Sequence, residues 1–208
     1  GWPAEPIIAA LLAAAQPALR SAGADFLVTL AHPDWLIGVL PRLKFSTVEE
    51  VVTFRKSDRA LPAPSRSGGA VIRAAAAGDV HAIVANDRAA FQPLWWHSPD
   101  SIAHILRTVS HFVVAEIDNR VVGHAFTDVY GGQGHLIRLV VHPQYQQRGI
   151  GEQLLIDALE YQLRADAYPF TLNTQRTNLP SQALYRRYGY REVGRPVAVM
   201  GRALDAAL

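Results

Sequence analysis

The 208-residue chain has no cysteine. That excludes disulfide frameworks, thiolate metal sites and a cysteine nucleophile, so a covalent acyl-enzyme would need another group. It also fits a reducing cytoplasm, the expected location. An excess of one charge sign is missing too: 20 basic side chains face 18 acidic ones, a formal net charge of +2. With no basic stripe, nucleic acid is not expected as a partner. No run is apolar enough for a bilayer. The longest, residues 6–19, falls short of the roughly 20 residues a span needs and is broken by Pro17. Glu5 stands where a signal peptide would carry Lys or Arg. The run reads as a buried amphipathic or core helix, and no membrane partner is expected. The eight histidines have no metal-ligand spacing, so no metal is expected. The sole methionine is Met200: either an initiator was clipped ahead of Gly1 or the chain is a fragment.

Half of the residues are hydrophobic, enough to build a core. Pro, Ser and Gly cluster over residues 61–69 without apolar periodicity, which reads as an exposed linker. It separates a front segment, 1–60, from a second region, 70–208. In front, the pattern predicts a helix over 6–21, a strand over 26–30, a helix capped by Asp34 and reaching 43, and a β-branched strand over 48–54. Behind the linker it predicts a strand over 70–73 and helices capped by Asp79 and by Ser98 or Asp100. Strands at 112–116 and 121–130 meet at an Asp118-Asn119 turn. A strand at 136–141, a helix from Gly149 to 165, a strand at 170–174, a helix over 180–188 closed by Gly189, and one or two final strands complete the pattern. The class is mixed α/β, with strands and helices interleaved around an open sheet.

A faint repeat runs beneath this order. A displacement of 144 positions brings Leu11 onto Leu155, Leu19 onto Leu163, Arg20 onto Arg164, Phe26 onto Phe170, Leu40 onto Leu184 and Arg42 onto Arg186. The front segment then reads as the back half of a degenerate second copy of the same fold, the alternative being an unrelated helical extension. Pro41 falls where the other copy has Tyr185, and no Gly-rich loop precedes Pro6. Its expected role is structural, not catalytic.

Chemistry concentrates in the run Leu139-Val-Val-His-Pro-Gln-Tyr-Gln-Gln-Arg-Gly-Ile-Gly151. A strand ends, a loop follows and a helix opens at the glycines. Such a junction exposes amides with no intrahelical partner, and the helix dipole adds positive potential. Together they suit a pyrophosphate. Gly149 and Gly151 let phosphates approach the main chain, and Arg148 can add a charged contact. No Lys-Ser/Thr follows, as a Walker A loop requires, and no third glycine stands at dinucleotide-fold spacing. The run resembles the coenzyme A loop of the GNAT superfamily of N-acetyltransferases, Q/R-x-x-G-x-G/A. A second run, Thr177 to Tyr190, resembles that family's N-x-x-A-x-x-x-Y-x-x-x-G-F segment, with Asn178, Tyr185 and Gly189 in place. Ser181 stands for Ala, and Tyr190 for Phe.

The resemblance covers residues 71–202 and implies a GNAT-like acyl-CoA N-acyltransferase fold, a central, mostly antiparallel sheet with splayed strands flanked by helices. It makes residues 70–208 the catalytic domain of an acyltransferase whose co-substrate is acetyl-CoA. The splayed strands would be 136–141 and 170–174. Backbone groups of Leu139, Val140 and Val141 would pair with the pantetheine arm, and an amide there would polarise the thioester. Gln146, Gln147, Arg148, Gly149, Ile150 and Gly151 would hold the diphosphate. Asn178 would hold the pantetheine or a water, and Tyr185 would also protonate the departing thiolate. The general base is open among His135, Glu116, Asp128 and a water, with His135 foremost because imidazole titrates near neutrality. Trp95, Trp96 and His97 read as core aromatics, with the acceptor site as the alternative. The expected partners are acetyl-CoA, an amine acceptor of unassigned kind (small molecule or protein) and a second copy of the chain. The contrasting reading is a catalytically silent CoA-binding sensor or scaffold.

Overall fold

The computed structural model describes residues 4–64 and 68–204. Among them α-helices and eight strands interleave, a mixed α/β fold with mostly antiparallel pairing. Close contacts divide the chain into two compact units. One comprises Gly1–Thr53, Thr174–Leu179 and Gly194–Leu208; the other comprises Phe54–Asn173 and Pro180–Val193. The division falls ahead of the expected linker and returns the last residues to the company of the first. Residues 65–67 of that linker lie outside the described set. Gly68 at its end is buried rather than exposed, and Ala70 exchanges two 3.3 Å hydrogen bonds with the Gln153 amide.

The first unit opens with α1 (Ala4–Ser21) and β1 (Phe26–Leu30). Next come α2 (Leu36–Val39), a 3-10 turn (Leu40–Leu43) and β2 (Ser46–Lys56), whose residues as far as Thr53 belong here. Asp34 does not cap α2. Trp35 holds the cap position and makes no side-chain bond there. Pro41, which has no N–H to donate, turns the end of the expected helix into the tighter 3-10 form. Ile8, Ala9 and Leu12, at helical spacing, pack on a core of Ala31, Leu40, Leu43, Phe45 and Met200. β1 lies antiparallel to the final strand, from Phe26 opposite Ala203 to Leu30 opposite Val199.

The second unit carries β3 (Val71–Ala74), α3 (Val80–Ala90), α4 (Pro99–Thr108), β4 (His111–Ile117), β5 (Arg120–Tyr130) and β6 (Gln133–Val141). After these come α5 (Ile150–Arg164), β7 (Phe170–Gln175) as far as Asn173, and α6 (Leu179–Arg187) from Pro180; β8 (Arg191–Ala203), a single long strand, belongs to the first unit from Gly194 and to this second unit only before it. Its strands run in the order β7-β6-β5-β4-β3, antiparallel except for β6 against β7. Asp118 and Asn119 both take positive φ, the geometry of a tight hairpin turn. Ser98 caps α4 by accepting from the Ser101 amide. Asp79 precedes α3 but bonds Arg73 and the Ala76 amide instead of capping it. α3 and α4 cover one sheet face through Val80, Ile83, Val84 and Ile102, against Phe112, Val114 and Phe126. α5 buries Ile150, Leu154, Leu155 and Leu159 at helical spacing. No helix among the described residues is long and apolar enough to cross a membrane.

Displaced by 144 positions, α1, β1, α2 with its 3-10 turn, and β2 fall on α5, β7, α6 and β8. Every end agrees to within three residues. The front strand is not isolated, since β1 is paired along its whole length.

Candidate active site

The site is organised by an irregularity in β6. Its register with β5 shifts between Phe126 and Thr127: Arg138 lies opposite Phe126, Leu136 opposite Thr127, and Ile137 is the extra residue. Such a bulge bends its strand and re-aims the side chains beyond it. The parallel register of β6 with β7 covers only Gly134–Leu136 against Phe170–Leu172 and ends at this bulge. Beyond it β6 continues to Val141 alongside β5.

Alternation in an antiparallel ladder then decides which backbone groups face away from β5. His142 donates to the Val122 carbonyl at 2.8 Å, which makes Val140–His124 the next bonded pair. A Cβ on Gly123 would stand 2.7 Å from the Val140 carbonyl oxygen, so the two strands touch there. Leu139 and Val141 therefore turn their amides and carbonyls to the other edge. Val140, expected to join them, is engaged with β5. The Val141 carbonyl on that edge accepts the Gln146 side-chain amide at 3.0 Å.

After β6 the chain makes a 3-10 turn at Pro143–Tyr145 and enters α5. Gly149, the residue ahead of α5, has φ of 91° and caps the helix with no side-chain bond. Gln147 is also left-handed, with φ of 62°. The first of the α5 amides lies close to the Gly68 backbone: a Cβ built on Gly68 would stand 2.9 Å from the Ile150 nitrogen. Three expected contacts are arranged differently than the motif implies. Gln146 ties the loop to β6, as above. Arg148 is exposed, donates to the Gln144 carbonyl at 3.0 Å and lies over the Tyr145 ring. A Cβ on Gly151 would meet only ordinary contacts at 3.7 Å, with Leu139, Val141 and Leu184. Gly151 is thus a packing point where β6, α5 and α6 converge, while the backbone demand for glycine sits at Gly149.

Tyr185 on α6 is buried and packs edge-on against Tyr190, with ring centroids 6.0 Å apart, and against Phe54. Burial pushes its phenol up to about 12, moderated by a hydrogen bond with Ser181. At neutral pH it keeps its proton and can only donate one. The Tyr190 hydroxyl is buried with no hydrogen-bond partner among the described residues. Asn178 precedes α6, and its amide donates to the Gln175 carbonyl at 3.1 Å.

His135 lies opposite Asp128, just before the bulge. The extra residue puts it on the same face as Arg138, Phe126 and His124, the face covered by α3 and α4; strict alternation would have put His135 and Arg138 on opposite faces. Its Nδ1 is 2.8 Å from the Thr171 hydroxyl, and burial lowers its pKa. The ring is neutral at pH 7, the state a base requires. The rival carboxylates are engaged elsewhere. Glu116 binds Arg73 at 2.7 Å, and Asp128 binds Ser110 and the Val129 amide. Trp96 is 43% exposed and donates to the Phe91 carbonyl, so it is not a core residue.

Two features were missed in the sequence. Ser181 reads as a mild departure from Ala, yet it supplies the partner of the Tyr185 hydroxyl; the signal was its i, i+4 spacing on one helix. Asp87 and Arg138 form a buried ion pair, joining residues 51 positions apart that no local spacing connects.

The family profile described as "Acetyltransferase (GNAT) family" matches residues 81–190, more than half of the chain. The chain belongs to this family. It is an enzyme of the N-acetyltransferase class. It is 25% identical over 118 residues to a candidate ribosomal protein bS18 alanine N-acetyltransferase of Bacillus subtilis, covering 56% of this chain and 77% of that protein. A GCN5-related N-acetyltransferase from Sphaerobacter thermophilus shares the fold at a TM-score of 0.67 and 18% identity. That match covers 88% of this chain and 60% of the longer one. The PaiA N-acetyltransferase of Thermoplasma acidophilum, solved with coenzyme A, shares it at 0.57 and 16% identity, over 65% of this chain and 99% of the other. GNAT folds bind acetyl-CoA, and the co-substrate follows from membership. Among the described residues no cluster of histidine and acidic side chains is arranged to hold a metal.

Proposed function

We propose that this N-acetyltransferase moves the acetyl group of acetyl-CoA to a primary amine by direct attack in a ternary complex. The observation that carries the reading is the junction of β6 and α5. There a strand edge turned away from its neighbour leads into a helix start that no side chain of its cap residue, the left-handed Gly149, bonds. The amides around Ile150 take the diphosphate, since an uncapped helix start offers N–H donors and positive potential. The edge groups of Leu139 and Val141 pair with the pantetheine amides as an added strand would. An amide on that edge stabilises the oxyanion formed when the amine nitrogen bonds the thioester carbon.

As the C–S bond breaks, Tyr185 gives its proton to the sulfur. A neutral His135 takes the proton that the attacking amine loses. A base whose pKa is lowered remains available at neutral pH, and a phenol whose pKa is raised remains an acid. No nucleophilic side chain is required, in keeping with the absence of cysteine. That absence also supports a cytoplasmic setting for the reaction.

The test is thiol release from acetyl-CoA with a panel of primary amines, alongside calorimetric titration of CoA. Amine-dependent thiol release that falls in Tyr185→Phe supports the reading. CoA binding with no release for any amine would instead make the domain a silent CoA sensor.

A further inference from the structure

The face of β6 that carries His135 also carries a guanidinium with one arm unused. Arg138 is almost wholly enclosed, its side chain 10% exposed. Its Nε donates to Asp87 Oδ1 at 2.9 Å, and its Nη2 donates to the same oxygen and to the Trp95 carbonyl at 2.8 Å. The Phe91 ring lies 3.8 Å beneath the guanidinium carbon. Asp87 is fully buried. Burial alone would raise its pKa, but its bonds with His97 and the charge of Arg138 hold it below the usual carboxylate range. The guanidinium is thus clamped from two sides and from below. Its remaining nitrogen, Nη1, makes no hydrogen bond among the described residues and is not one of the sealed, unpartnered polar atoms. That nitrogen is a charged, preorganised double donor with no protein partner among the described residues and not fully sealed from solvent.

Structural need does not account for the free arm. Neutralising Asp87 and tying down residues 91–98 use only Nε and Nη2. Position accounts for it better. Arg138 immediately precedes Leu139, whose edge groups the proposed function assigns to the pantetheine, and it shares a face with His135, the assigned base. An acceptor whose amine attacks between those two residues passes Nη1. With its positive charge balanced by Asp87, the group acts chiefly as a directed donor, suited to an oxygen.

We propose that Arg138 is a specificity-determining residue, its Nη1 donating to a carbonyl or carboxylate oxygen carried beside the amine of the acceptor. The acceptor class is then an α-amino carbonyl compound, such as a peptide N-terminus or an amino acid amide, rather than a plain alkylamine. This rests on the function proposed above.

The experiment compares kcat/KM for alanine amide and for isopropylamine, which share the branched amine carbon but differ in the carbonyl group. Wild-type protein is expected to favour the amide. Because Arg138 cannot be neutralised alone without stranding buried Asp87, the informative variant is the double change Asp87→Asn with Arg138→Gln, paired with Arg138→Lys, which keeps the charge but loses the fork. In both, the preference for the amide should shrink about ten- to hundredfold, the size of one charge-assisted hydrogen bond. CoA affinity and the thermal midpoint, read in parallel, report whether the fold holds. A preference that survives in folded, CoA-binding variants overturns the proposal, as does wild-type protein that favours isopropylamine. Wild-type protein that acetylates other primary amines but neither of these two overturns the proposal alone, whereas protein that binds acetyl-CoA and releases thiol with no amine of the panel defeats the function reading, and this inference with it.

Discussion

Two stretches of this chain follow the same outline and differ in chemistry. α1, β1, α2 with its 3-10 turn, and β2 repeat α5, β7, α6 and β8 at a spacing of 144 residues. We read the first stretch as a degenerate half-copy. α5 is entered through a left-handed glycine and buries seven residues; α1 fully buries none and carries Pro17 inside it. α6 carries Tyr185 with Ser181 one turn earlier; the α2 turn has Pro41 where Tyr185 would stand. The outline persists without a glycine entry or a tyrosine, and the function we propose uses the stretch that keeps those two departures from plain packing.

The strongest way to break this contrast is at Tyr185. Tyr185→Phe should lower kcat by about a hundred- to ten-thousandfold with CoA affinity unchanged, measured by steady-state thiol release and titration. An unchanged kcat would put the two stretches on an equal footing. His135→Gln sharpens the same contrast from the β6 side. In the wild type the acid limb of kcat should have its midpoint below the ordinary histidine value of 6.5, because burial disfavours the charged ring. In the variant that limb should disappear and the plateau should fall about a hundredfold.

A third test concerns stability in the unit that carries α5. Burial holds the His124 imidazole neutral down to about 3, against 6.5 when exposed. Between those values the unfolded chain binds a proton that the folded one refuses. Stability therefore falls as pH drops below 6.5, by about 1.4 kcal/mol per unit for this group. Urea titrations of wild type and His124→Phe across that window should show a steeper loss in the wild type. The smallest effect belongs to the front stretch. The Arg20 guanidinium on α1 donates to the Leu204 carbonyl at 3.0 Å. Arg20→Ala should cost about 1 kcal/mol of stability and leave acetyl transfer unaltered; a fall in kcat at full folding would give that stretch a catalytic role.

Much of the fold was legible because it is written in short-range patterns. β1 was expected at its observed limits, and most other elements fell within a few residues, since apolar spacing and caps such as Ser98 are local signals. Asp34 and Asp79 misled because a carboxylate ahead of a helix can serve another partner, as Asp79 serves Arg73. The loop we assign to the pyrophosphate was visible as a motif, but its division of labour was not. Gln146 holds β6, Gly151 packs, and only Gly149 needs its conformation. The bulge at Ile137 could not be foreseen, because one extra residue in a strand leaves no compositional trace. Yet it decides that Val140 faces β5 and that His135 and Arg138 share a face.

The central claim is that the amides at the start of α5, entered through the left-handed Gly149, grip a diphosphate. It is tested most directly by titrating CoA and pantetheine, which lacks the diphosphate, into wild-type protein and Gly149→Val. A β-branched residue resists the φ of 91° that Gly149 adopts. The account predicts that the variant weakens CoA about ten- to hundredfold, the scale of about 1.4 to 2.7 kcal/mol of backbone strain and misdirected donors, and leaves the weak binding of pantetheine as it was. CoA bound equally by both proteins, or pantetheine lost in step with CoA, would contradict it.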